Sequence, residues 1–131
     1  MKLLLTLPGA PRTKKNSQRI VEKKNKKPVV LPSKAFVKYE VKCLNYLHRC
    51  KLPADVVPIK EPINLCCVYY RDTQGIVDLV GLLQATNDIL VDAGILVDDN
   101  SNIVASHDGS RVMYDKQNPR TEVTITWKKI Y

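Results

Sequence analysis

VDLVGLLQATNDILVDAGILVDDNSNI, residues 77–103, combines a helical period with a set of carboxylates. Leu79, Leu82, Leu83, Thr86, Ile89 and Leu90 recur at steps of three and four, the interval at which side chains return to one face of an α-helix. Gly94 stands just past them, where helices commonly end on a residue in the left-handed conformation. The spacing predicts a helix over 76–93, a short strand over 95–97 and a turn at Asp98, Asp99 and Asn100, residue types that favour turns through local hydrogen bonds. Asp78 falls in the first turn of this helix, where a carboxylate suits the dipole and caps free N–H groups.

Outward from that stretch, Leu3, Leu5 and Leu7 alternate as in a strand, which Pro8-Gly9-Ala10-Pro11 ends. Arg12, Lys14, Lys15, Arg19, Lys23, Lys24, Lys26 and Lys27 follow with only Glu22 opposed, so a basic mobile loop or loose hairpin is expected over about 9–28. Val29-Val30-Leu31 suits a short strand. Ser33 is a plausible N-cap for a second amphipathic helix over 34–51, with Phe36, Tyr39, Cys43, Tyr46, Leu47 and Cys50 on its apolar side. Lys34, Lys38, Lys42, Asn45 and Arg49 occupy its other side, as a solvated face or a phosphate-facing ridge. Residues 62–70 read as a strand buried on both faces, 107–111 as a hairpin turn or bulge around Asp108-Gly109, and 121–127 as a final alternating strand. This order implies an α+β fold: a small single domain over 1–131 with a mixed sheet and about two main helices.

The 131 residues carry a net charge of +8, unevenly spread. Residues 1–60 hold 15 Lys/Arg against 3 Asp/Glu, and residues 61–131 hold 6 against 10. A basic half joined to an acidic half suits a protein that grips phosphate with one part and holds a cation with the other. The apolar runs are far shorter than the roughly 20 residues that span a bilayer, and no signal-peptide pattern opens the chain, so a cytoplasmic protein without membrane contact is expected. Cys43, Cys50, Cys66 and Cys67 lack zinc-finger spacing and read as buried reduced thiols.

Asp78 together with Asp98 and Asp99 offers hard oxygen ligands of the kind that Mg²⁺ or Mn²⁺ takes while keeping waters and substrate phosphate. Adjacent aspartates point oppositely on an extended chain, so one of Asp98 and Asp99 would ligate and the other support. A helix over 77–93 is about 25 Å long, so the following strand must return along it for Asp78 to meet them. The ordinary reading of residues 98–101 is a plain turn.

LPGAPRTKKNSQR, VDLVGLLQATNDILVDAGILVDDNSNI and PRTEVTI together resemble the RusA family of phage and prophage Holliday-junction resolvases. That resemblance implies a RusA-like α+β homodimer in which each copy carries a Mg²⁺-dependent carboxylate site and nicks one of two opposed strands of a four-way junction. Asp78, Leu79, Leu82, Asp88, Asp98 and Asp99 match the family's central motif, making Asp78, Asp98 and Asp99 the expected catalytic and metal-binding residues and Asp88 a weaker one. Arg12, Lys14, Lys15, Asn16, Arg19 and Arg111 are the expected DNA contacts, joined by Arg120; no small-molecule cofactor is expected. Val80 and Gln84 depart from the motif, standing where it has an aspartate and a lysine. A branched-DNA endonuclease is therefore expected in the cytoplasm, the host's if phage-encoded, with a junction-binding protein of weakened or lost nuclease activity as the alternative. Asp72 and Asp108 are compensating carboxylates to examine for Val80, and His107 is a turn histidine or a base.

Overall fold

Alternation of leucines builds the first edge of the sheet. Strand β1 (Lys2–Pro8) turns Leu5 and Leu7 into the core and leaves Leu4 in solvent. The computed structural model describes residues 1–14, 19–21, 29–31 and 33–128; the expected basic contacts Lys15 and Asn16, with most of the loop beyond them, lie outside these residues. Strands β2 (Arg19–Val21) and β3 (Val29–Leu31) pair antiparallel, as a loose hairpin requires.

Ser33 caps helix α1 (Lys34–Arg49), its hydroxyl accepting from the Phe36 N–H at 3.0 Å. Phe36, Tyr39, Cys43 and Leu47 bury the apolar stripe, while Lys34, Lys38, Lys42, Asn45 and Arg49 are exposed as their period requires. The Tyr46 hydroxyl accepts from the Thr6 N–H at 3.2 Å, which satisfies an outward donor of the edge strand β1. Burial pushes the Cys43 thiol up to about 11 and the Cys67 thiol up to about 12, and all four cysteines are unpaired. Cys43 and Cys67 are buried and pack as small hydrophobes, as expected, whereas Cys50 and Cys66 are only partly buried.

Strand β4 (Ile63–Arg71) occupies the middle of the main sheet, antiparallel to β7 (Arg120–Thr126), which is antiparallel to β1. Along its other side β4 pairs in parallel with β5 (Val104–Ser106) and then with β6 (Arg111–Tyr114). The sheet is mixed and five-stranded, the class expected from the order of elements. The expectation that β4 is buried on both faces is corrected. Ile63, Leu65, Cys67 and Tyr69 are buried, but Asn64, Cys66, Val68 and Tyr70 are only half so, because both helices pack their stripes against the same face. Helix α2 (Leu79–Asp92) supplies Leu82, Ala85, Ile89 and Leu90 to that layer, and the Thr86 hydroxyl meets the Tyr69 hydroxyl at 2.7 Å. No helix among the described residues is long and apolar enough to cross a membrane.

Residues 107–110 are a break in one edge rather than a hairpin, since β5 and β6 run the same way along β4. Side chains replace the missing ladder. The Asn64 amide donates to Asp108 O at 3.1 Å and accepts from Asp108 N–H at 2.8 Å, and the Ser110 hydroxyl accepts from Cys67 N–H at 3.0 Å. Gly109 has φ +88°, and a Cβ there would stand 3.0 Å from Cys66 Sγ. Gly109→Ala is expected to lower unfolding stability by about 1–3 kcal/mol, the cost of a side chain in the left-handed region, as a shifted midpoint in urea denaturation. The next connection is tied by Arg120, whose guanidinium lies 3.9 Å over the Tyr70 ring and reaches Asp115 at 2.9 Å and Glu122 at 3.1 Å. Hydrogen bonding to Arg120 holds the Asp115 carboxyl below the usual carboxylate range.

Candidate functional site

Asp78 lies one position before α2, as its N-cap rather than inside its first turn. Its backbone is extended and Oδ1 accepts from the Val80 N–H at 3.1 Å, satisfying a donor that has no partner within the helix. The carboxylate is exposed. Two positions into the helix stands Gly81, buried, where a Cβ would meet Thr13 Cγ2 at 3.1 Å and Asp78 Oδ2 at 3.2 Å. A glycine inside a helix costs about 1 kcal/mol relative to alanine. Here it admits the chain that follows β1, so that Thr13, 3 % exposed, lies beside the Asp78 carboxylate.

Residues 11–14 are riveted to α2 at two points. Pro11 and Thr13 are buried, which turns Arg12 outward. One residue further, Lys14 Nζ bonds Asp88 Oδ2 at 2.7 Å and sits 5.7 Å from the centre of the Phe36 ring, joining the basic segment to both helices. Asp88, the weaker metal candidate, is thus the partner of an expected DNA contact. Such half-exposed pairs couple by about 0.2–1 kcal/mol. Exchanging the charges, Lys14→Asp with Asp88→Lys, is expected to recover most of the stability that either single change removes, read as a double-mutant cycle in urea.

Asp98 and Asp99 are exposed in the turn beyond α2. The Asp98 carboxylate accepts from the Asp99 N–H at 2.7 Å and from Asn100 Nδ2 at 3.1 Å, and Asn100 Oδ1 accepts from the Asn102 N–H at 2.9 Å. These bonds make the ordinary local turn that such residues favour. The return strand expected over 95–97 is reduced to one parallel bridge, Ile59 to Leu96. Leu96 N–H also reaches Leu90 O at 3.3 Å, which holds the returning chain near the far end of α2. Leu90 is about 18 Å along the helix from Asp78, and the two residues from Leu96 to Asp98 span at most about 7 Å.

Among the described residues, no three His, Cys, Asp or Glu side chains gather into a group that could hold a metal ion. A Mg²⁺ ion needs near-octahedral oxygen at about 2.0–2.1 Å. Asp78, Asp98 and Asp99 do not make up such a group among the described residues of one chain.

The remaining residues singled out from sequence fall in separate places. Arg111 opens β6 and is exposed; Arg19 opens β2, and its side chain lies outside the described residues. Arg120 is taken up by Asp115, Glu122 and Tyr70. His107 Nδ1 lies 3.0 Å from Leu65 O, the position of a turn histidine, while Asp72 and Asp108 are exposed in separate connections. Val80, 70 % exposed, and Gln84 precede Asp88 at four-residue steps, hence on one stripe of α2. Gly81 and Thr13 went unnoticed in the sequence. The available signal was a glycine interrupting a strong helical pattern, which points to a close approach of other chain.

Compared with protein-family models and with curated proteins, the chain matches none.

Proposed function

We propose that this chain is a structure-selective endodeoxyribonuclease that binds branched DNA, four-way junctions foremost, and hydrolyses phosphodiesters in a Mg²⁺-dependent reaction. In this reading it works in the cytoplasm as a homodimer, one nick per copy, because a junction must be cut on two strands. One observation carries it. The basic segment after β1 and the first carboxylate of the acidic motif, far apart in sequence, lie side by side across Gly81, with Thr13 3.1 Å and Asp78 Oδ2 3.2 Å from the same point. A carboxylate set against the segment that carries Arg12 and Lys14 is the kind of juxtaposition that charge segregation in the sequence anticipates for a phosphate-processing site.

Further support is the resemblance of residues 77–103 to the resolvase motif. The hydrolytic half rests on that motif, since the three aspartates form no metal-binding group among the described residues. A second reading, junction binding with weakened or lost cutting, is favoured by Val80 and Gln84, exposed where the motif has an aspartate and a lysine.

One assay separates the two. A labelled synthetic four-way junction is incubated with the protein in Mg²⁺ or Mn²⁺, beside Asp78→Asn and Asp99→Asn. Cutting by the wild type and loss in both variants is the expected result; undiminished cutting by both variants refutes the assignment. Tight binding without cutting favours the second reading, in which case Val80→Asp with Gln84→Lys is expected to raise activity.

A further inference from the structure

A groove of about 420 Å³ opens between the chain leaving β1 and the exposed side of α1. Arg12, Lys38 and Lys42 line it, and no carboxylate does. Among the described residues none of these three cations enters an ion pair, in contrast to Lys14 and Arg120. Lys38 and Lys42 are one helical turn apart, about 5–6 Å between their Cβ atoms, the scale of the step from one phosphate to the next along a strand.

The floor is made of small residues. Gly9, at φ +91°, has no side chain; a Cβ there would stand 3.6 Å from the Tyr39 ring and 3.7 Å from Lys42 Cδ. The Lys42 stem therefore lies along the Gly9 turn, with its ammonium 3.9 Å from that same point. Ala10 and Ala35 keep the walls low, and Arg12 is aimed outward by the burial of Pro11 and Thr13 on either side.

We infer that this groove holds the sugar-phosphate backbone of a duplex DNA arm, contacted without reading sequence. The chemistry of the lining selects that ligand. Three cations that enter no ion pair among the described residues attract polyanion, and phosphate oxygens are what side chains on such a groove most often meet on a duplex. Single strands are commonly held by bases stacked on exposed aromatic faces, and the one aromatic residue here, Tyr39, is 6 % exposed with its hydroxyl held protonated by burial. The inference rests on the proposed action on DNA, but it names residues outside the acidic motif and is tested apart from cutting.

Affinity for a short labelled duplex is measured by fluorescence anisotropy between about 50 and 200 mM salt for the wild type, Arg12→Ala, Lys38→Ala, Lys42→Ala and the triple variant. Each single change is expected to reduce the slope of log K against log salt by about 0.9, and the triple change by about 2.7. Lys116→Ala, outside the groove, is expected to leave the slope unchanged. A triple variant with the wild-type slope overturns the inference, as does wild-type preference for a single strand over the duplex. Junction cutting by a wild type whose groove variants keep its slope leaves the nuclease reading standing and removes the groove alone. Duplex binding with the expected slopes but no cutting does the reverse.

Discussion

Asp78→Asn is expected to leave the fold standing while cutting of a four-way junction falls by about 100-fold or more, since even groups behind a metal ligand cost 10–100-fold when removed. The substitution separates the two tasks available to this side chain. As an N-cap, Asp78 needs only an oxygen that accepts from the Val80 N–H at 3.1 Å, and asparagine supplies one. As a reacting-site carboxylate it needs its negative charge, which asparagine lacks. Asp78→Ala removes both and is expected to cost about 1 kcal/mol of stability in addition. Thermal melting and junction cleavage on the same preparations check the pair. An Asp78→Asn protein that cuts like the wild type reduces Asp78 to a cap.

Phe36→Ala is expected to lower unfolding stability by about 3–5 kcal/mol, measured by urea denaturation, the usual cost of emptying a buried aromatic site. Phe36 is 1 % exposed in the first turn of α1, and its ring also underlies the Lys14 ammonium. A native domain holds only about 5–15 kcal/mol in total, so the change removes a large share of the margin. Ser33 still caps the helix in that variant because it bonds the Phe36 backbone, not the ring. Loss of packing, not loss of the helix start, therefore accounts for the effect; a change below about 1 kcal/mol would contradict the burial.

Chemistry confined to a few neighbouring residues was legible before folding. The three- and four-residue steps of Leu82, Thr86, Ile89 and Leu90, the Ser33 cap, the Gly94 terminus and the alternation of Val123 and Ile125 each report a local period or a local bond. From these the α+β class and both helices followed. The break at 107–110 was less legible, because a turn signal at Asp108-Gly109 is the same whether the chain reverses or continues along β4. The face of β4 was misjudged because a dense apolar composition does not say how many layers will cover it.

Composition and charge also marked a basic half and an acidic half, but not which members would meet. Lys14 and Asp88 are 74 positions apart and pair at 2.7 Å, so one expected DNA contact and one expected carboxylate ligand engage each other. Asp78, Asp98 and Asp99, close in sequence, form no metal-binding group among the described residues; α2 lies between Asp78 and Leu96, which is held at its far end. Period and capping depend on neighbours within a turn or two of chain, and twenty side chains suffice to encode them. Proximity across the fold depends on the path of the whole backbone, which is why residues 77–103 announced a helix and its carboxylates while the folded chain alone set Thr13 of the basic segment beside Asp78.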